Sequence, residues 1–410
     1  MEHAGRPVAD VIDELAARRG DDVAWSAGRT FSLVYDGGPT VHAVAEQAAT
    51  MYLHENALNT AAFPSLAGFQ SDVVRWTADL LHAPPGAAGF MTSGGTESIQ
   101  CAVLAARERA RDERGITSPE IVLAESAHAA FHKSAHLFGM RTITTPVRDD
   151  WTADVDAMAA AVGPDTVLVV GSAPTYPQGV VDPISEIAAL AASVGANCHV
   201  DACMGGFVLP FAERLGRDVP RWDFRVDGVH SISADVHKLG YAPKGASVIL
   251  HRTKELRRYQ TFVFDGWLGG LYASPNLQGT RSGAPMAAAW AVMRHLGVDG
   301  YIELTRRTLD AADRLRAGIA AIDGVRVLGD GTLHCVAMAA DRATVDVFAV
   351  GDTLKARGWH LDRQSPPDSL HATVSQGNSA TMDAYVADLA AAVAAQTRTV
   401  DRSTSYATLE

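Results

Sequence analysis

Cysteine is scarce in this sequence: four in 410 residues, Cys101, Cys198, Cys203 and Cys335, with no CxxC pair among them. That excludes a disulfide scaffold, argues against a zinc ribbon and fits a reducing, cytoplasmic compartment. Positive charge is also short, with Lys plus Arg at 35 against 47 Asp plus Glu, a net charge of −12. Such a surface repels a polyanion, so no nucleic-acid partner is expected. Long apolar runs are missing: none approaches the ~18–20 residues of a membrane-spanning helix. The opening stretch MEHAGRPVADVIDELAARRG is amphipathic and of mixed charge, without the apolar centre of a signal peptide. A freely soluble chain without a membrane anchor is therefore expected. Repeats, low-complexity tracts and long Pro/Ser linkers are absent too. What remains is ordinary globular material, 47% hydrophobic and 20% charged. At ~150 residues per domain the length suggests two to three domains.

From about residue 80 short apolar runs alternate with helical stretches. Strands are expected at Ala88–Thr92, Glu120–Ala124, Thr166–Val170, Cys198–Asp201, Ser231–Ala234 and Ser247–His251, with Ala-rich helices such as Glu97–Asp112 and Pro183–Val194 between them. This alternation predicts an α/β fold whose central sheet is mostly parallel and covered by helices on both faces. A long helix over Met286–Ile322 follows. It leads to strands near Val325–Leu328, His334–Ala339 and Leu370–Val374. The expected organisation is an N-terminal segment (1–80), a large domain (81–285) and a small α/β C-terminal domain (286–410).

Three features of the large domain carry chemistry. Ser93-Gly94-Gly95-Thr96-Glu97-Ser98 lies between a strand and a helix, where a tight turn and unpaired first-turn N–H groups suit a phosphate. A simple N-cap would look the same. Asp201 ends a strand, where α/β sheets hold their ligands, and the Gly205-Gly206 pair after it is poor material for a capped helix. Lys238 follows another apolar strand in the turn SADVHKLG, where partial desolvation frees a neutral amine for covalent chemistry. Each is weak alone. Together they supply a phosphate cradle, an acid for a ring nitrogen and an amine for an aldehyde, the three handles that pyridoxal phosphate needs. His128, after the strand ending at Ala124, could stack on the cofactor ring.

Five stretches in this order and spacing, SGGTES, SAHAAF, HVDACMGGF, SISADVHKLGYAPKG and GGLYASPNLQGTRSG, resemble those of sphingosine-1-phosphate lyases. These are fold-type I pyridoxal-phosphate enzymes, near the group II decarboxylases. The resemblance spans about Trp25 to Gln396. It implies that Lys238 tethers the cofactor, Asp201 pairs with its ring nitrogen and His128 stacks over the ring. It further implies that Gly95, Thr96 and His237 hold the phosphate. Members are homodimers with shared sites, so the N-terminal segment is expected at the interface. Gly279 and Thr280 would then reach the neighbouring subunit's cofactor, with Thr280 standing where Ser is common. Tyr35 resembles a tyrosine given by the partner chain, Lys244 a lysine that meets a substrate phosphate, and Arg281 follows the same pattern. Tyr406, in the tail Ser403–Glu410, is a candidate to approach the site.

Asn59 departs from the family, falling where its members carry a phosphate-contacting histidine. An amide donates a hydrogen bond but supplies no charge, and charge-assisted bonds are roughly twice as strong as neutral ones. Asp36, beside Tyr35, adds an opposing negative charge, whereas Lys244 argues for an anion. The expected reaction is retro-aldol cleavage of a 2-amino-3-hydroxy long-chain base phosphate to an aldehyde and an amine such as phosphoethanolamine. The alternative is decarboxylation of an amino acid in a changed pocket. A third reading, cofactor binding without turnover, is disfavoured because Lys238 and Asp201 are both present. His128, His132 and His136 recur every four residues, but no cysteine or carboxylate completes a metal set, so no metal is expected.

Overall fold

The structure, a computed structural model, describes residues 4–329, 331, 333–395 and 402–404. Seven strands form the central sheet: β1 (Ala88–Thr92), β2 (Glu120–Ala124), β3 (Arg141–Thr145), β4 (Thr166–Ser172), β5 (Asn197–Asp201), β6 (Val229–Ala234) and β7 (Ser247–His251). Their spatial order is β1-β7-β6-β5-β4-β2-β3. β7 runs antiparallel to both its neighbours and the other pairings are parallel, so six strands share one direction. β2, β4, β5 and β7 are buried along their whole length. Helices cover both faces of such a sheet, which is why these strands read as continuous Val/Ile/Leu runs. The mostly parallel α/β architecture expected from the sequence is thus present.

β3 escaped the sequence reading. Its RTITT run lies at the sheet edge, part exposed, and carries too little apolar signal. The hairpin Phe262–Phe264 with Tyr272–Ser274 was also missed.

A second, antiparallel sheet places Val325–Leu328, Cys335–Ala340, Ser369–Thr373 and Asp362–Gln364 side by side. Its core gathers Leu315, Trp359, Leu370 and Tyr385 with Phe31 from the N-terminal segment, Phe31 lying 4.6 Å ring to ring from Tyr385. The two cores are joined by the long helix Ala284–Ala320, two residues earlier at each end than expected. The N-terminal helices Pro39–Met51 and Pro64–Leu80 pack against it. Among the described residues no helix is long and apolar enough to cross a membrane.

The shared strand direction brings one end of the sheet into register. The carboxyl ends of β1, β2, β4, β5 and β6 and the segments after them supply Ser93–Thr96, His128, Pro174 and Tyr176, Asp201, Cys203 and Met204, and Asp235, His237 and Lys238, all lining one cavity. Open α/β sheets hold ligands at that end.

Candidate active site

The cavity measures about 320 Å³. Its first wall is the turn between β1 and the helix Gly95–Arg114, whose N-cap, Gly94, offers no side-chain cap. Glu97 is buried and uses both carboxylate oxygens: Oε2 accepts the Ser93 N–H at 2.7 Å, and Oε1 accepts those of Leu277 and Gln278 at 3.0 and 3.3 Å. The turn is thereby fixed while the first-turn N–H groups, which have no partner within a helix, remain for a ligand. A side chain on Gly95 has no room, since its Cβ would stand 2.8 Å from both Asp235 Oδ2 and Cys203 Sγ.

Asp201 ends β5. Its Oδ1 accepts the Cys203 N–H at 3.0 Å and the Ser233 hydroxyl at 3.3 Å. Ser233 lies 3.2 Å from His199 Nε2, and His199 Nδ1 lies 2.8 Å from Ser231 Oγ. Burial pushes the His199 pKa down to about 4, so that ring is neutral. A buried chain of hydrogen bonds from β6 thus sets the orientation of the acid. Burial also raises the Cys203 thiol well above its ordinary range, which leaves it unreactive.

Lys238 stands in the turn after β6, its Nζ 3.0 Å from the buried Asp235 Oδ2. His237 Nδ1 accepts the Ala246 N–H at 3.2 Å, which assigns its proton to Nε2, on the side of Asp235 Oδ2 at 3.6 Å. Burial lowers the His237 pKa to about 4. His128 is arranged alike: Nδ1 accepts the Ala130 N–H at 3.1 Å, and burial lowers its pKa. A neutral, half-buried imidazole therefore faces the cavity. It precedes the helix Ala130–Phe138 instead of sharing a helical face with His132, which meets Thr142 Oγ1 at 3.2 Å.

An adjoining cavity of about 470 Å³ shares His128 and Tyr176 with the first and is lined further by Trp151, Asp362 and Arg363. Tyr176 donates to Asp362 Oδ2 at 2.5 Å, bridging the two sheets. Sequence reasoning did not single out Glu97, Tyr176, Ser233 or Asp235. Only the DVHK spacing held a hint, since a residue three before a lysine can fold back on it within a turn.

Six expected residues, Gly95, Thr96, His128, Asp201, His237 and Lys238, line the cavity together. The others lie elsewhere in the chain. Gly279 and Thr280 are exposed. Arg281 lines a separate pocket with Thr92, Ser93 and Gly245, and burial lowers its pKa. Lys244 donates to the His237 carbonyl at 3.0 Å and lies 4.9 Å from the ring centre of Tyr35 of the same chain. Tyr35, expected to serve the partner, thus packs within its own chain. Asn59 is exposed and its Oδ1 accepts the Ala62 N–H at 3.2 Å within a local turn. The Asp36 carboxylate accepts from the Gly38 N–H at 2.6 Å and pairs with His42 at 3.2 Å. Tyr406 lies outside the described residues.

The donor set fits pyridoxal phosphate. The uncapped helix start at Gly94-Gly95-Thr96 and the Nε2–H of His237 suit a phosphate. Asp201 keeps Oδ2 without a protein partner among the described residues, as an acid awaiting a ring nitrogen would.

Comparison with known proteins agrees. Residues 22–338 match the pyridoxal-dependent decarboxylase conserved domain. A sphingosine-1-phosphate lyase of Arabidopsis thaliana is 40% identical over 392 residues, 94% of this chain and 72% of that protein. The structure of a sphingosine-1-phosphate lyase of Burkholderia pseudomallei superposes with a TM-score of 0.92 at 39% identity, covering 96% of this chain and 92% of that one. A protein of Pyrococcus furiosus named as a probable L-aspartate decarboxylase is 34% identical, covering 87% of this chain and 93% of its own.

Proposed function

Because the chain belongs to the pyridoxal-dependent decarboxylase family, within its sphingosine-1-phosphate lyases, and is a pyridoxal-phosphate-dependent aldehyde-lyase, we propose that it cleaves a phosphorylated 2-amino-3-hydroxy long-chain base. The products are a fatty aldehyde and an amine such as phosphoethanolamine. The observation that carries the roles below is the meeting of Lys238, Asp201 and the Gly94-Gly95-Thr96 turn around one cavity.

In this reading Gly95, Thr96 and His237 hold the cofactor phosphate, Lys238 binds its aldehyde, Asp201 keeps its ring nitrogen protonated and His128 stacks on the ring. The bound cofactor supplies an electron sink for the bond being broken. His128, neutral at pH 7 and with Nδ1 taken by the Ala130 N–H, is able to donate a hydrogen bond from Nε2, and the Lys238 ammonium is able to give a proton. Ser233 and His199 keep the acid oriented. Lys244 offers the cation for a substrate phosphate. Asp36 is spent on Gly38 and His42 and opposes that anion less than its position beside Tyr35 suggests.

A homodimer is part of the proposal. Gly279 and Thr280 are exposed, and the hairpin beside them carries Trp267, Leu268 and Leu271 at 54%, 109% and 71% exposure. An apolar patch of that kind marks an interface. The four cysteines are free and buried, in keeping with a cytoplasmic setting.

Decarboxylation is the second reading, favoured by an uncharged Asn59 in place of a histidine and by the relative from Pyrococcus furiosus. The deciding experiment incubates protein and pyridoxal phosphate with a long-chain base phosphate and with a panel of amino acids. Aldehyde from the former, abolished in Lys238→Ala, is expected; carbon dioxide from an amino acid without aldehyde would overturn the lyase reading.

A further inference from the structure

One buried charge in the cavity has no part in the scheme above. Asp235 is 2% exposed, and among the described residues its Oδ1 has no hydrogen-bond partner. Its Oδ2 lies 3.0 Å from Lys238 Nζ and 3.6 Å from His237 Nε2. Burying a carboxylate is costly unless a partner compensates it, so a fold gains little from this one unless its field acts on the amine. Its place is also set from outside its own turn, since Gly95 leaves the space that the carboxylate fills.

We propose that Asp235 is a positioning residue that directs the Lys238 amine into the cavity and keeps it protonated until the cofactor aldehyde arrives. This rests on the reading that Lys238 is the cofactor-bearing amine. For the two to join, the ammonium first gives its proton to solvent. The nitrogen then forms a double bond to the aldehyde carbon, and the aldehyde oxygen leaves as water. Asp235 sets the pH at which the first of these events occurs.

Other groups also act on Lys238 and decide the net effect. Lys244 and His237, on its own turn, would discourage its charge when themselves charged, and His237 is neutral at pH 7. Across the cavity stand His128 and Asp201, the former neutral and the latter a second carboxylate. Cys203, and from the smaller sheet His334 and Cys335, all feel Lys238 and are uncharged at pH 7, by burial. Among the described residues Asp235 is the carboxylate at ion-pair distance. Although burial raises its pKa, nearby charge, that of Lys238 foremost, more than offsets this and leaves it below the ordinary value, so the carboxylate is ionised.

The test uses cofactor-free full-length protein as wild type, Asp235→Asn and Asp235→Glu. The rate at which visible absorbance develops after adding pyridoxal phosphate is followed by stopped flow across pH. An opposite charge at this range shifts an amine by ~1–3 units. The rate midpoint should therefore fall by at least about one unit in Asp235→Asn, with uptake roughly tenfold faster below the wild-type midpoint, and return in Asp235→Glu. An Asn profile that overlays the wild type overturns the proposal. Acetylation of Lys238 by acetic anhydride, counted by mass spectrometry, reads the same midpoint without cofactor. If the wild type takes up no pyridoxal phosphate, the reading of Lys238 falls while acetylation still decides the pair. If Asp235→Asn does not fold, wild type alone suffices: Lys238 should titrate above Lys244, and a midpoint at or below that of Lys244 overturns the pairing.

Discussion

Lys244 shows how one residue's surroundings set a measurable property. Crowding by protein and the like charge of Lys238 lower its pKa to about 8. It is thus charged below that pH and, in the role proposed for it, would lose its grip on a phosphate above it. KM for a long-chain base phosphate should rise several-fold between pH 7 and 9, with kcat changing less, and Lys244→Arg should move the rise upward. KM measured across that range checks this. Ser233→Ala, which removes one hydrogen bond from Asp201, should weaken cofactor binding by ~0.5–1.5 kcal/mol, read by equilibrium titration. At this scale the sequence was legible where chemistry sits directly after an apolar strand: Asp201 and Lys238 follow β5 and β6, and Gly95 and Thr96 follow β1. Ser233 was illegible because inside a strand a serine that orients an acid looks like any strand serine. Tyr176 lies beyond β4 in a stretch whose approach to Asp362 depends on the smaller sheet.

Elements were easiest to read where burial is complete on both faces, as in β2, β4 and β5, and hardest at edges. β3 pairs on one side only, and the Phe262–Ser274 hairpin pairs only with itself, so neither needs a strong apolar period. The long helix was found, but its break was not. Gly297 sits within it at φ 54° and ψ −172°, a backbone region open to glycine and strained for other residues. Gly297→Ala should cost ~1–3 kcal/mol, measurable by urea denaturation. In the sequence that glycine is one of 36 and carries no mark of its conformation.

For the whole molecule, six buried histidines dominate the acid limb of stability. His199, His230, His237, His251 and His371 are lowered to about 4 and His334 to about 3, all chiefly by burial. As pH falls below ~6.5 the unfolded chain takes up protons that the folded chain refuses, so stability falls toward pH 4 at up to ~1.4 kcal/mol per unit for each such group. Thermal melts from pH 7.5 to 4.5 should show a steep loss below 6.5; a flat profile would contradict the burial of these rings. The dimer belongs to this scale as well. Leu268→Glu should shift sedimentation toward a monomer and weaken turnover. Glu97 then acquires a second meaning. The same carboxylate that braces a subunit's own cradle anchors Leu277 and Gln278, and the next two residues, Gly279 and Thr280, are the ones that the proposed dimer offers to the neighbour. In the proposed dimer a lesion there would be felt on both sides of the twofold axis, and a mixed pair of one defective and one intact subunit would hold no healthy centre.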